Sequence, residues 1–77
     1  MPSHDRGPVL KRFGDAVKSR RQSAGISQEQ LAERAGLHRT YVGDIERGTR
    51  NISLRNIVRL AGALGCTPSE LLRGVED

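Results

Sequence analysis

Residues 28–47, Gln28-Glu29-Gln30-Leu31-Ala32-Glu33-Arg34-Ala35-Gly36-Leu37-His38-Arg39-Thr40-Tyr41-Val42-Gly43-Asp44-Ile45-Glu46-Arg47, decide the fold. They read as two short helices meeting at Gly36, with a link too short for anything but a tight crossing. Ala32 is small where the second helix passes over the first, and Gly36 sits where the sharp turn needs a positive φ. Leu31, Leu37, Val42 and Ile45 point inward and bind the pair to the rest of the domain. That leaves Arg39, Thr40, Tyr41 and Asp44 on the outer face of the second helix, polar side chains of different reach.

The flanking sequence repeats one capping device. In Ile26-Ser27-x-x-Gln30-Leu31, Ser27 is a cap hydroxyl, Gln30 its reciprocal partner, and Ile26 and Leu31 form a staple. Leu37 and Val42 have the same spacing around a cap at His38 or nearby, and Ile52 and Ile57 repeat it around Ser53. The fullest version is Cys66-Thr67-Pro68-Ser69-Glu70-Leu71, with proline at the first helical position. Gly36, Gly48, Gly65 and Gly74 fall near the ends of the preceding helices. Upstream, Leu10, Phe13 and Val17 follow amphipathic spacing, and Gly25 is placed to end that first helix. The polar, aperiodic residues 1–7 are expected to be a mobile tail, with one domain over 8–77. The fourth helix is expected to bury Leu54, Ile57, Ala61 and Leu64. Gly14, Gly43 and Gly62 lie inside predicted helices and mark either close helix approach or tolerated weakness.

Seventy-seven residues allow one compact core. With no Trp, one Phe and one Tyr, an aromatic-lined ligand cavity is not expected, so no small-molecule ligand is assigned. Cys66 cannot form an internal disulfide, and Cys66, His4 and His38 lack metal-ligand spacing, so no metal or cofactor is expected. No signal-peptide run and no apolar stretch near the length of a membrane helix is present, which reads as a cytoplasmic protein without a membrane partner. No nucleotide-binding glycine loop or Ser-His-Asp set points to an enzyme. Thirteen basic residues stand against nine acidic, and eleven of the thirteen are arginine, whose planar fork suits phosphates and guanine edges. That charge balance favours an anionic partner and also fits a merely soluble basic surface. RNA is disfavoured, because a helix cannot enter the narrow major groove of its A-form helix and stacking aromatics are missing.

Three stretches, ISQEQLAERAGL (26–37), YVGDIERG (41–48) and LRNIVRLAGALGCTPSELL (54–72), resemble the phage-repressor or Cro-like (XRE) helix-turn-helix family. The resemblance covers roughly residues 9–74. It implies an all-α, five-helix, lambda-repressor-like domain whose partner is double-stranded DNA and whose third helix enters the major groove. RTYVGDIERGTRNIS (39–53) further resembles the restriction–modification controller branch.

By resemblance, Gln28 hydrogen-bonds a DNA phosphate, and Arg21 and Glu46 form an ion pair bracing the recognition helix. Arg39 is the first candidate base reader, because arginine can bond O6 and N7 of guanine together. Thr40 and Tyr41 are candidates for base or backbone contact. His38, Arg50 and Asn51, flanking the recognition helix, join Gln28 as candidate phosphate contacts. Asp44 departs from the uncharged side chain common in the family and has three readings: it accepts from cytosine N4, restrains Arg39, or repels phosphate.

One module gives thin specificity, and two-fold dimers double the readout, so a homodimer on a (pseudo)palindromic operator is expected. Its contact surface is expected on the C-terminal helix and its neighbour, including Leu72, Val75 and the end of the fourth helix. The function expected is a sequence-specific transcriptional regulator. The alternative is an antitoxin-like protein whose main partner is another protein and whose DNA binding is autoregulatory.

Overall fold

The computed structural model describes residues 6–76. The elements are α1 (Arg6–Ser23), α2 (Gln28–Ala35), α3 (Arg39–Arg47), α4 (Leu54–Leu64) and α5 (Pro68–Leu72), followed by a 3-10 turn at Arg73–Val75. The all-α, five-helix expectation holds. Helix α1 begins at Arg6, ahead of the domain start expected at residue 8. Of the tail expected over residues 1–7, residues 1–5 lie outside the described residues, as does Asp77.

Local chemistry sets most of the boundaries. The Ser27 hydroxyl accepts from the Gln30 amide at 3.0 Å while Gln30 Oε1 accepts from the Ser27 amide at 2.8 Å. Thr67 and Glu70 repeat this box at the start of α5, at 3.1 and 2.8 Å. Those bonds, from the Thr67 amide first, hold the Glu70 carboxyl below its ordinary range. This cap is therefore complete above the usual carboxylate range and is lost as the pH falls through the lowered value. Ser53 accepts from the Asn56 amide, whereas His38 caps α3 by backbone geometry without a side-chain bond.

At Gly36 the backbone takes φ +70°, and the Leu37 amide returns to the Ala32 carbonyl at 2.8 Å, closing α2 before α3 departs. The same left-handed closure ends the helices at Gly25, Gly48 and Gly65. Gly74 differs: it lies within the 3-10 turn, and Arg73 caps α5 in a right-handed conformation.

The core draws one or more side chains from every helix: Phe13, Val17, Leu31, Ala32, Ala35, Val42, Ile45, Leu60, Ala61 and Leu71, with Ile26 from the turn before α2. Half-buried Leu37, Ile52, Ile57 and Cys66 pack around it, as the staple pattern implies.

One expected core residue is misplaced. Leu54 is 73% exposed, and Leu60, absent from the expected stripe, is fully buried. The stripe Ile57-Leu60-Ala61-Leu64 keeps three of the four expected residues; at 100° per residue, Leu54 and Leu60 lie about 120° apart on opposite edges of it, and the buried edge is the one with Leu60. Helix α4 carries apolar side chains on two faces, and packing against α2, α1 and α5 selects which face is enclosed.

The interior glycines separate into kinds. A methyl on Gly14 would fall on the Ile45 and Glu46 carbonyls, so Gly14 marks where α1 lies directly on the last turn of α3. Gly48 extends this contact, since a Cβ there would stand 2.8 Å from Lys11 Cα. Gly62 has open space around its Cβ position and marks no helix approach.

Candidate nucleic-acid interface

Helix α3 divides along its length. Val42, Ile45 and Glu46 are buried against α1 and α2, while Arg39, Thr40 and Arg47 are exposed and Asp44 is half-buried. The exposed face borders the start of α2, where Gln28, Arg39, Thr40, Gly43 and Arg47 line a shallow cleft of about 200 Å³. Gly43 keeps this cleft open: an added Cβ would stand 3.3 Å from Arg47 Nη1 and 3.7 Å from Gln28 Oε1. The cleft thus combines a helix start, two guanidinium groups, a hydroxyl and bare helix backbone, a donor-rich surface for an anionic ligand.

Under that surface lies a brace. Arg21 Nε and Nη2 donate to the two carboxylate oxygens of Glu46 at 2.7 and 3.1 Å, and Arg21 Nη1 donates to the Ile26 carbonyl at 2.9 Å. The two side chains are 12% and 3% exposed, so this bidentate pair is largely shielded from water. The Arg21 guanidinium is stabilised in its charged form, chiefly by the hydrogen bonds to Glu46. The expected ion pair is present. Its third member was not expected: Gln28 Nε2 donates to Glu46 Oε1 at 3.0 Å. The Gln28 amide group therefore ties the start of α2 to the end of α3.

Asp44 sits between two arginines. One carboxylate oxygen accepts from Arg47 and the other from Arg50 Nη2 at 3.5 Å. Neither bond goes to Arg39, the partner in one of the three readings of Asp44. The Thr49 hydroxyl donates to the Asp44 carbonyl at 3.1 Å, which folds the loop after α3 back over its last turn. The Arg50 guanidinium lies 5.1 Å from the Tyr41 ring centroid, a cation–π distance, and the Tyr41 hydroxyl accepts from Asn56 Nδ2 of α4 at 2.9 Å.

Of the other candidates, His38 and Asn51 are exposed at the two ends of α3 and its loop. Asn51 Oδ1 accepts from the Ile52 amide, leaving its amide nitrogen as the donor for an outside group. Sequence reasoning missed Arg47 and Asn56. Arg47 was legible, since 39, 43 and 47 share one face at i, i+4, i+8. Asn56 was not, because its role depends on a tyrosine fifteen positions away.

This geometry is a crossed helix pair with a buried brace and a cationic outer face. The helix-turn-helix family profile matches residues 17–71. This chain belongs to the helix-turn-helix family.

The relatives of this helix-turn-helix protein agree on its class. It is 54% identical over 61 residues to the control protein C.BamHI of Bacillus amyloliquefaciens, covering 78% of this chain and 75% of that one. To the control protein C.MunI of Mycoplasma it is 42% identical over 66 residues, covering 84% and 89%. Among solved structures, the restriction-modification controller protein C.AhdI from Aeromonas hydrophila superposes with a TM-score of 0.79 at 52% identity, covering 80% of this chain and 94% of that one. This helix-turn-helix protein is a DNA-binding transcriptional regulator. Among its described residues, no helix is long and apolar enough to cross a membrane.

Proposed function

We propose that this protein is a homodimeric, controller-type regulator of a restriction–modification system, acting in the cytoplasm on a two-fold symmetric operator read by the outer face of α3. The observation that carries the reading is the cleft in which Arg39, Thr40 and Arg47 of α3 converge with Gln28 of α2. Arg39 and Thr40, exposed in the first turn of α3, read base edges. His38, Arg50 and Asn51 take phosphates on either side and set the register of the helix on the duplex. Gln28 contributes its backbone N–H at the start of α2, because its side-chain amide is held by Glu46. Relatives named control proteins support the controller assignment.

The dimer contact is centred on α4 rather than on Leu72 and Val75. Leu54 and Val58 are 73% and 52% exposed and lie one turn apart, forming an exposed apolar strip among the described residues. Leu72 and Val75, by contrast, are partly buried against the chain's own core. Sedimentation at micromolar concentration is expected to give a dimer, and Leu54→Asp with Val58→Asp a folded monomer. A wild-type chain that stays monomeric with and without DNA removes the homodimer.

Selection from random duplexes, followed by sequencing, tests the whole reading. Two inverted half-sites about 10–10.5 base pairs apart, or a multiple of that spacing, are expected. An absence of any enriched sequence would overturn it. Arg39→Ala is expected to cost about 1–3 kcal/mol on the selected operator and relax one base position per half-site. Equal loss on operator and random DNA would make Arg39 a phosphate contact instead.

A further inference from the structure

We infer that Asp44 is a specificity-determining residue that acts through Arg47 and Arg50, holding both away from indiscriminate phosphate contact. The inference rests on α3 being the helix that reads DNA. Among Arg39, Thr40, Asp44 and Arg47, the residues of α3 that line or border the exposed face, Asp44 is the one acid, set on a surface that must approach a polyanion. An unpaired carboxylate there would oppose binding to every duplex alike. It is not unpaired: each of its oxygens is taken by a different guanidinium, one from the last residue of α3 and one from the following loop.

Three further contacts make this an ordered cluster rather than a passing surface ion pair. The Thr49 hydroxyl closes the loop onto the Asp44 carbonyl, the Tyr41 ring underlies Arg50, and Asn56 anchors the Tyr41 hydroxyl. Arg50 is thereby restrained from two sides, by charge at its Nη2 and by the aromatic face beneath it.

The consequence is differential. Long arginine side chains released on a surface find phosphates on any sequence, and that contact carries no sequence information. With Asp44 present, the cluster of two cations and one anion is net singly positive, and each arginine must leave a carboxylate before it meets a phosphate. On random DNA that exchange gains little. On the operator, where Arg39 and Thr40 fix the register, the two guanidiniums are already placed, and ordering them costs less. Asp44 therefore lowers the affinity for random DNA more than the affinity for the operator.

The test compares wild-type protein with Asp44→Ala and Asp44→Asn on the selected operator and on a random duplex of equal length, across a salt series. Both variants are first checked by thermal melting, and Asp44→Asn keeps the shape of the side chain should the alanine variant unfold. The operator-to-random affinity ratio is expected to fall about tenfold, mainly through tighter random binding. The slope of log affinity against log salt on random DNA is expected to steepen by about one to two, as the released arginines each add a phosphate contact. An unchanged ratio, whether both affinities rise, fall or stay together, overturns the inference. So does a loss confined to the operator with no change in the random-DNA salt slope, which would make Asp44 a direct base contact. If the wild-type chain itself fails to distinguish operator from random DNA, the DNA-reading role of α3 fails before the variants are compared.

Discussion

Replacing Gly14 with alanine is expected to lower the stability of this domain by about 2–3 kcal/mol, although the change improves intrinsic helix propensity by about 1 kcal/mol. The added methyl has nowhere to go. It would fall on the carbonyl oxygens of Ile45 and Glu46, with the Glu46 oxygen 2.7 Å and its carbonyl carbon 2.9 Å away. These are backbone atoms of a helix already fixed on its other side by α2, so no side chain can rotate clear. Relief requires α1 to lift from α3, and that would also disturb the contact between Gly48 and the Lys11 backbone. For a domain of this size the melting temperature should fall by about 10–20 °C, at roughly 4–8 °C per kcal/mol. Gly62→Ala provides the opposite case within the same chain. Its Cβ position is open, so in dilute solution the propensity gain of about 1 kcal/mol should appear as a higher melting temperature. If both variants melt above the wild type, the contact between α1 and α3 is looser than the geometry requires.

The difference between those glycines could not be found in the sequence, where both are interior helix positions of the same residue type. What was legible was local. Ser27 with Gln30 and Thr67 with Glu70 satisfy each other within one turn, so spacing alone located two helix starts. Gly36 ends α2 through hydrogen bonds to residues at most four positions earlier, which sequence also exposes. The phase of α4 was not legible, because Leu54 and Val58 compete with Leu60 for the same description as buried aliphatic residues. The neighbouring helices decide that competition by leaving room for Leu60.

The site divides in the same way. Arg39 and Thr40 follow directly from the start of α3 and its buried face. Asp44 invited three readings because its neighbours in sequence do not reveal its neighbours in space. Arg50 reaches it only because the loop after Gly48 turns back, and Tyr41 supports Arg50 only because Asn56 of α4 holds the tyrosine hydroxyl. The candidate surface is thus less predictable than its scaffold: capping is settled within four residues, whereas the placement of a long arginine depends on every element within its reach.

Glu46→Ala is expected to be the most damaging single substitution outside the apolar core, at about 3 kcal/mol, the lower end of the range for breaking a buried ion pair. The lower end applies because the Arg21 side chain retains 12% exposure and can recruit some water. The Glu46 carboxylate satisfies Arg21 Nε, Arg21 Nη2 and Gln28 Nε2 together, so its removal leaves a guanidinium and an amide without their acceptor. Against a total stability of about 4–12 kcal/mol for a chain of this length, that is a large fraction. Most of the loss is the cost of an uncompensated charge, so it should be recoverable without restoring the pair. Arg21→Met combined with Glu46→Leu is expected to melt well above Glu46→Ala alone. A double-mutant cycle on melting and DNA affinity separates the two contributions. If the double variant regains stability but binds operator weakly, the ion pair serves chiefly to fix α3 in register with α1 and with the start of α2. If it regains both, apolar packing holds α3 as well as the ion pair does, and Arg21, Glu46 and Gln28 only satisfy one another's charge and hydrogen bonds. The first outcome is expected, because the three side chains join three helices through bonds of defined direction, and apolar contact has none.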